Sequence, residues 1–161
     1  MSKKEILYEI LFAVVVIGIA MFITTFVMQR VVVDGSSMEP TLSDGDTMFV
    51  NKFVYRFNDP ERFDIVVFPN PNEPKMFLIK RIIGLPGDTV NISDGKVYVN
   101  GEVLDESYGL EPINDAGIAL EDICIPTEEY FVLGDNRNNS LDSRNMSIGL
   151  IKKDNIVGRV K

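Results

Sequence analysis

The hydrophobic pattern divides the chain into one long apolar run near the N-terminus and many short apolar runs after it. Residues 10–28, ILFAVVVIGIAMFITTFVM, contain no charged side chain. As a helix, this stretch spans about 28 Å, close to the hydrocarbon thickness of a bilayer. A buried helix of a soluble protein has a polar stripe, whereas this run offers only Thr24 and Thr25. The pattern therefore predicts a transmembrane helix over 10–28.

A cleaved signal peptide is the competing interpretation of this run. The apolar part of a signal peptide is usually about 7–15 residues long and ends at a small-x-small cleavage site. No alanine occurs between Met21 and Pro40, so a retained anchor is the better interpretation. Lys3 and Lys4 precede the run and Arg30 follows it. The positive-inside rule then predicts a cytoplasmic N-terminus, 1–9, and an extracytoplasmic remainder at the cell membrane.

After Arg30 the pattern changes to short β-branched and aromatic runs that are separated by Gly, Pro, Asn and Asp, which predicts strands. Asp94-Gly95 and Asn100-Gly101 each join two such runs and predict a three-stranded meander over 88–104. Residues 105–129 are acidic and weakly patterned, as in a loop-rich excursion. We predict a mainly β fold: an antiparallel core, 30–88 and 126–161, with a small β-rich insertion, 89–125, preceded by the single helix.

The amino-acid composition excludes several partners and catalytic mechanisms. The formal charge of −8 argues against nucleic acid as a partner. Histidine is absent, which excludes a Ser-His-Asp triad and Cys-His catalysis, and the single cysteine excludes an intramolecular disulfide and a multi-thiolate zinc site. Cys124 lies between two isoleucines, so we expect a small buried apolar residue without a role. No metal or organic cofactor is predicted.

A serine followed by Met-Glu-Pro stands shortly after the apolar run, in GSSMEPTL, residues 35–42. A serine hydroxyl needs a neighbouring base before it can act as a nucleophile. Without histidine the base must be Asp, Glu, Tyr or Lys, and a lysine qualifies if burial disfavours its ammonium form. Serine in such a stretch is also common turn chemistry. The residues alone do not separate Ser37 from Ser36.

A lysine in an apolar strand is the matching candidate. In MFLIKRIIGLPGD, strand alternation puts Lys80 on the same face as Leu78 and Ile82 and turns Arg81 to the other face. Burial on that face would keep Lys80 neutral. The alternative for this window is an edge-strand lysine whose amine reaches water.

A polar loop near the C-terminus is the third candidate segment. GDNRNNSLDSR, residues 134–144, follows an apolar strand. Such a loop either is solvated or positions another group by rigid hydrogen bonding.

Together with GDTMFVNK, residues 45–52, these motifs resemble the bacterial type I signal peptidases, membrane-anchored Ser/Lys endopeptidases, and among them the short Gram-positive form. The resemblance covers nearly the whole chain. It implies that Ser37 is the nucleophile, that Lys80 is the general base, and that Ser140 hydrogen-bonds the lysine amine. It also implies support of the site by two further pairs: Asp142 with Arg144, and Arg81 with Asp135.

The resemblance also implies the substrate: signal peptides of secretory precursors, bound in extended form, with small residues at the first and third positions before the cut. The lipid bilayer is the second implied partner, and no oligomeric state is predicted. Gly35 replaces a hydroxyl that helps to stabilise the oxyanion in some members, which leaves the Ser37 backbone N–H for that task. The implied substrate-binding residues are Val33, Asp34, Gly35, Met38, Leu42, Leu78 and Ile79.

Two other functions fit parts of this pattern. A self-cleaving Ser/Lys protease of the repressor type uses the same nucleophile and base, but it is soluble and carries a DNA-binding module, which the apolar run and the acidic charge oppose. A catalytically inert, membrane-tethered β-domain that binds peptides is the second. In that protein Ser37 and Lys80 would have no chemical role.

Overall fold

The computed structural model describes residues 2–22, 28–109 and 111–160. Short 3-10 helices at Val54–Arg56, Gly117–Leu120 and Lys153–Asn155 lie in connections between strands. The regular elements of the described residues are α1 (Lys3–Phe22), β1 (Met28–Val32), β2 (Thr47–Asn51), β3 (Ile65–Asn70), β4 (Glu73–Gly84), β5 (Thr89–Ser93), β6 (Lys96–Val99), β7 (Glu102–Val103), β8 (Ile123–Cys124), β9 (Glu129–Leu133), β10 (Ile151–Lys152) and β11 (Gly158–Val160).

The N-terminal helix differs from the prediction. Helix α1 begins seven residues earlier than the predicted span, at Lys3, and Met28 belongs to β1 rather than to a helix. Residues 23–27 of the predicted span lie outside the described residues. In the part of the chain that the structure describes, no helix has the length and apolar character needed to cross a membrane. The transmembrane part of the predicted fold is therefore not supported by the structure.

The strands form two antiparallel sheets, which confirms the mainly β, antiparallel fold. The larger sheet has seven strands in the order β1-β2-β11-β3-β4-β9-β10. Strand β4 lies in the interior of this sheet, where it pairs with β3 on one side and β9 on the other. Sequence-distant strands thus meet around β4, the strand that carries Lys80 and Arg81.

The smaller sheet has the order β7-β6-β5-β8 and contains the predicted meander, β5 to β7. Its turns have positive φ at Asp94, Gly95, Asn100 and Gly101, the backbone that a two-residue type I′ hairpin requires. Strand β8 lies in the stretch predicted as loop. A two-residue strand shows no alternation, so the pattern could not reveal β8 or β10.

Three hydrophobic clusters hold these sheets. The largest joins them, because Ile83 and Phe131 of the larger sheet pack with Val90 and Val97 of the smaller one. Another packs Met38 against Val50 and other side chains beneath β2 and β3. Fully burying a side chain of this size stabilises a fold by about 1.5–3 kcal/mol. The prediction that Cys124 is buried is wrong: it is exposed in the short edge strand β8, and its neighbour Ile125 enters the core instead.

Candidate active site

Ser37 sits in a turn that is fixed on both sides. The Glu39 N–H donates to the Ser36 carbonyl at 3.1 Å and the Leu42 N–H donates to the Met38 carbonyl at 3.0 Å. Met38 is 1% exposed, so the residue after Ser37 anchors the turn in the core. Ser37 itself is half-buried.

Gly35 opens this turn. Its φ is +93°, a conformation that L-residues with a side chain rarely adopt, and its N–H donates to Asp44 Oδ1 at 2.8 Å. The backbone therefore requires glycine at this place, and glycine lacks the hydroxyl that helps to stabilise the oxyanion in some members of the family that the sequence resembles. Within the described residues the Ser37 N–H donates no hydrogen bond, so it remains available to a substrate oxygen.

Lys80 is buried beside Ser37. It is 2% exposed and belongs to β4, where it pairs with Val66 of β3. Its Nζ lies 2.7 Å from Ser37 Oγ and 2.8 Å from the Ile79 carbonyl oxygen. A neutral amine can accept the Ser37 hydroxyl proton while it donates to that carbonyl. The geometry therefore suits proton transfer from Ser37 to Lys80.

The electrostatic environment favours the neutral amine. Burial lowers the pKa of Lys80 from its ordinary value of 10.5 to about 8, and the carboxylates of Asp142 and Asp135 oppose this shift. Desolvation outweighs both carboxylates. A measurable fraction of the protein thus carries an uncharged lysine at neutral pH.

The polar loop 134–144 distinguishes the two serines. The Asn136 N–H donates to the Ser37 carbonyl at 3.1 Å, and its side-chain amide donates to the Ser36 carbonyl at 3.2 Å. The Asn139 amide donates to Ser36 Oγ at 2.8 Å. Ser36 Oγ is thus held by the loop, while Ser37 Oγ faces the lysine. Asn136 and Asn139 were not among the predicted site residues, and the abundance of asparagine in this loop is the sequence signal that points to them.

Arg81 and Asp135 form a buried pair behind the dyad. Arg81 Nε donates to Asp135 Oδ1 at 2.8 Å, and its Nη2 donates to Oδ2 at 2.7 Å. The other amino nitrogen donates to the Phe63 carbonyl at 2.9 Å, and Nη2 also reaches Thr41 Oγ1 at 3.4 Å. The arginine next to the lysine therefore ties the loop 134–144 to β4 and to the segment that carries Ser37.

Asp142 and Arg144 are the second buried pair. Arg144 donates to both carboxylate oxygens, at 2.8 and 2.9 Å. Asp142 also accepts the Gly134 N–H at 3.1 Å, which closes the loop on itself. A side chain at Gly134 has no room, because its Cβ would lie 2.2 Å from Ser140 Oγ and 2.5 Å from the Ser37 carbonyl oxygen.

The hydrogen bond expected from Ser140 to Lys80 is not formed. Ser140 Oγ is buried and has no hydrogen-bond partner among the described residues. The residue lines a separate cavity of about 420 Å³ together with Asp142 and Arg144. The lysine amine is occupied instead by Ser37 and the Ile79 carbonyl, both of which lie within hydrogen-bond distance.

A largely apolar cavity of about 530 Å³ ends at the Ser37–Lys80 pair. Of the expected substrate-binding residues, Gly35 and Leu42 do not line it: Gly35 stays in the turn, and Leu42 packs in the core beside Met38. Gln29 and Lys52 also line the cavity, although neither was among the expected substrate-binding residues. The expected residues that do line it are Val33, Asp34, Met38, Leu78 and Ile79.

The chain resembles known proteins over most of its length. Residues 6–161 match the family described as signal peptidase, peptidase S26. A probable signal peptidase I-2 of Synechocystis sp. is 46% identical over 147 residues, which cover 88% of this chain and 65% of that protein. Signal peptidase I P of Bacillus subtilis subsp. natto is 41% identical over 164 residues, 97% of this chain and 88% of that protein.

A solved structure agrees with these relatives. The crystal structure of a signal peptidase I from Enterococcus faecalis V583 is 34% identical, with a TM-score of 0.54 over 65% of this chain and 98% of that chain. The fold and the Ser/Lys site thus define a serine peptidase. The chain belongs to the signal peptidase family, peptidase S26.

Proposed function

We propose that this protein removes signal peptides from exported precursor proteins, with Ser37 as the nucleophile and Lys80 as the general base. The observation that carries the proposal is the 2.7 Å separation of Lys80 Nζ and Ser37 Oγ, with the lysine buried and its pKa lowered to about 8. The peptidase activity itself is supported by the chain's membership of the signal peptidase family.

The reaction has two halves. Neutral Lys80 takes the Ser37 proton as Ser37 Oγ attacks the scissile carbonyl, and the lysine then gives this proton to the leaving amine as the C–N bond breaks and the acyl-enzyme forms. The lysine, neutral again, takes a proton from the water that attacks the acyl-enzyme and returns it to Ser37 Oγ as the ester bond breaks. The Ser37 N–H stabilises the oxyanion, since it has no other acceptor among the described residues. Asp135 and Asp142 serve as structural supports through their pairs with Arg81 and Arg144.

The apolar cavity binds the C-terminal part of the signal peptide. Val33, Met38 and Ile79 supply apolar walls next to the nucleophile, which suits the small residues at the first and third positions before the cut. Gln29 and Lys52 add polar side chains to the lining of the same cavity. An extended peptide lying along β1 and β4 in this cavity is the binding mode that the lining favours.

Residues 30–88 and 126–161 act as the catalytic core and residues 89–125 as an insertion. The apolar segment that starts at Ile10 attaches the core to the bilayer, with the N-terminus in the cytoplasm. Support comes from the apolar side chains of Ile10 to Ile19, which are exposed instead of packing on the sheets. Membrane fractionation with protease protection of intact cells tests the attachment and its orientation.

The test of the activity is cleavage of a purified precursor bearing an Ala-x-Ala site, in detergent, by the full chain. We expect Ser37→Ala and Lys80→Ala to abolish cleavage, whereas Ser36→Ala retains most of it because only the Asn139 bond is lost. Activity lost in Ser36→Ala and kept in Ser37→Ala would reverse the assignment. A folded but inert native chain would favour the peptide-binding domain instead.

A further inference from the structure

The segment 105–109 follows β7 of the smaller sheet and passes over the supports of the active site. It is called the strap below. The strap contributes two side chains, Glu106 and Tyr108, to arginines that flank the catalytic groups. Neither was singled out by the sequence, where this stretch reads as an acidic loop.

Tyr108 covers the face of the Arg81 guanidinium. The ring centroid lies 3.5 Å from Arg81 Cζ, within the range of a strong cation–π contact. The edges of the same guanidinium are taken by Asp135, the Phe63 carbonyl and Thr41. The hydrogen bonds at its edges therefore constrain the guanidinium within its plane, and the ring closes one of its two faces.

Glu106 makes a second attachment to the same loop. Its carboxylate accepts two hydrogen bonds from Arg137, at 2.7 and 2.5 Å, and both side chains are nearly buried, at 11% and 3% exposure. The Arg137 N–H donates to the Asp135 carbonyl at 3.0 Å, and the Arg137 carbonyl accepts a bond from Arg144. The strap therefore clamps the loop that holds Ser37 and Ser36 through Asn136.

We infer that Tyr108 is a positioning residue for the peptidase reaction, which stacks on Arg81 and thereby fixes Asp135 and the loop 134–144 against the Ser37 turn. This rests on the proposed function. The smaller sheet then has a task in catalysis, since it delivers the strap. A misplacement of about 1 Å in a reacting group can cost about a hundredfold in rate, so loosening this support is measurable.

The test compares Tyr108→Leu, which keeps apolar bulk without the aromatic face, with Tyr108→Phe, which keeps the ring. We expect kcat to fall about three- to thirtyfold in Tyr108→Leu with KM changed less than about twofold, and both constants to stay near native in Tyr108→Phe. Tyr98→Leu, at a half-buried tyrosine of β6 that makes none of the site contacts described above, is the matched control. All variants are assayed at one temperature that lies below the onset of thermal unfolding of each, so that their rate constants can be compared directly.

A double-mutant cycle with Arg81→Lys separates positioning from general destabilisation. If Tyr108 acts through the planar guanidinium, Tyr108→Leu causes little further loss of kcat in the Arg81→Lys background. Fully additive effects, or a Tyr98→Leu loss as large as that of Tyr108→Leu, would overturn the inference while the peptidase function stands. A native chain that cleaves no precursor would overturn the proposed function, and the inference with it.

Discussion

The acid limb of the pH–rate profile should report the ionisation of Lys80. Only the neutral amine can accept the Ser37 proton, so kcat/KM is expected to rise about tenfold per pH unit below the pKa and to level off above it. With burial lowering the pKa of Lys80 to about 8, the midpoint of the limb is expected near pH 8.

The magnitude follows from the two pKa values. At pH 7 a lysine with a pKa of about 8 is neutral in about 9% of molecules, whereas one at its ordinary 10.5 is neutral in only about 0.03%. Burial therefore supplies about 300 times more base at neutral pH. With an ordinary, exposed lysine, the midpoint of the acid limb would lie more than two pH units higher.

The assay is initial-rate cleavage of a quenched fluorescent peptide bearing an Ala-x-Ala site, between pH 5.5 and 10.5, in detergent. Asp142→Asn removes a carboxylate that raises the pKa of Lys80, so its midpoint should move to lower pH, whatever happens to the maximal rate. Asp154→Asn, at an exposed aspartate of the C-terminal 3-10 helix, is the control and should leave the midpoint in place. A midpoint above pH 9.5, a flat profile from pH 6 to 9, or an alkaline shift in Asp142→Asn would refute the reasoning.

Two further substitutions probe the burial of the site. Lys80→Met should raise the free energy of unfolding at pH 7, by at most about 3 kcal/mol, because the buried ammonium is disfavoured. Between pH 8 and 10.5 the unfolded native sequence binds a proton that the folded protein lacks, so the stability of the native protein rises with pH. The stability advantage of Lys80→Met should therefore vanish near pH 10.5. Denaturant titration at several pH values measures this advantage, and an advantage that does not change with pH would contradict burial of the ammonium as its cause. Gly134→Ala should lower kcat about a hundredfold, because the new Cβ would lie 2.5 Å from the Ser37 carbonyl oxygen and displace the nucleophile. Gly18→Ala, with no atom within 4 Å of the added carbon, is its control in the same cleavage assay, and equal rates in both would show that the turn tolerates the shift.

Local patterns predicted those parts of the fold and site that depend on neighbouring residues. Alternation in β4 correctly placed Leu78 and Ile82 on one face of the strand, since both contact the same hydrophobic cluster. The Asp94-Gly95 and Asn100-Gly101 turns could be predicted because the backbone of such turns requires positive φ. The two-residue strands and the exposure of Cys124 could not be predicted, because both depend on which other strands lie next to them in the folded sheets.

Contacts between distant segments could not be predicted from residue types. The choice between Ser36 and Ser37 depends on Asn139, which is 103 positions away from Ser36. The stacking of Tyr108 on Arg81 depends on where the smaller sheet lies. The expected bond from Ser140 to Lys80 was implied by resemblance alone, and in the structure that hydroxyl is buried without a partner among the described residues.

The site reconciles two opposing needs. A neutral lysine requires a buried, weakly polar surrounding, yet the loop that holds Ser37 is braced by Asp135 and Asp142, whose carboxylates favour the charged lysine. Each carboxylate is held by two hydrogen bonds from its own arginine, Arg81 or Arg144. Burial of Lys80 lowers its pKa more than the two carboxylates raise it, so desolvation remains the larger influence. The arginines thus fix the charged supports in place, while burial of Lys80 keeps its pKa below the ordinary value despite those charges.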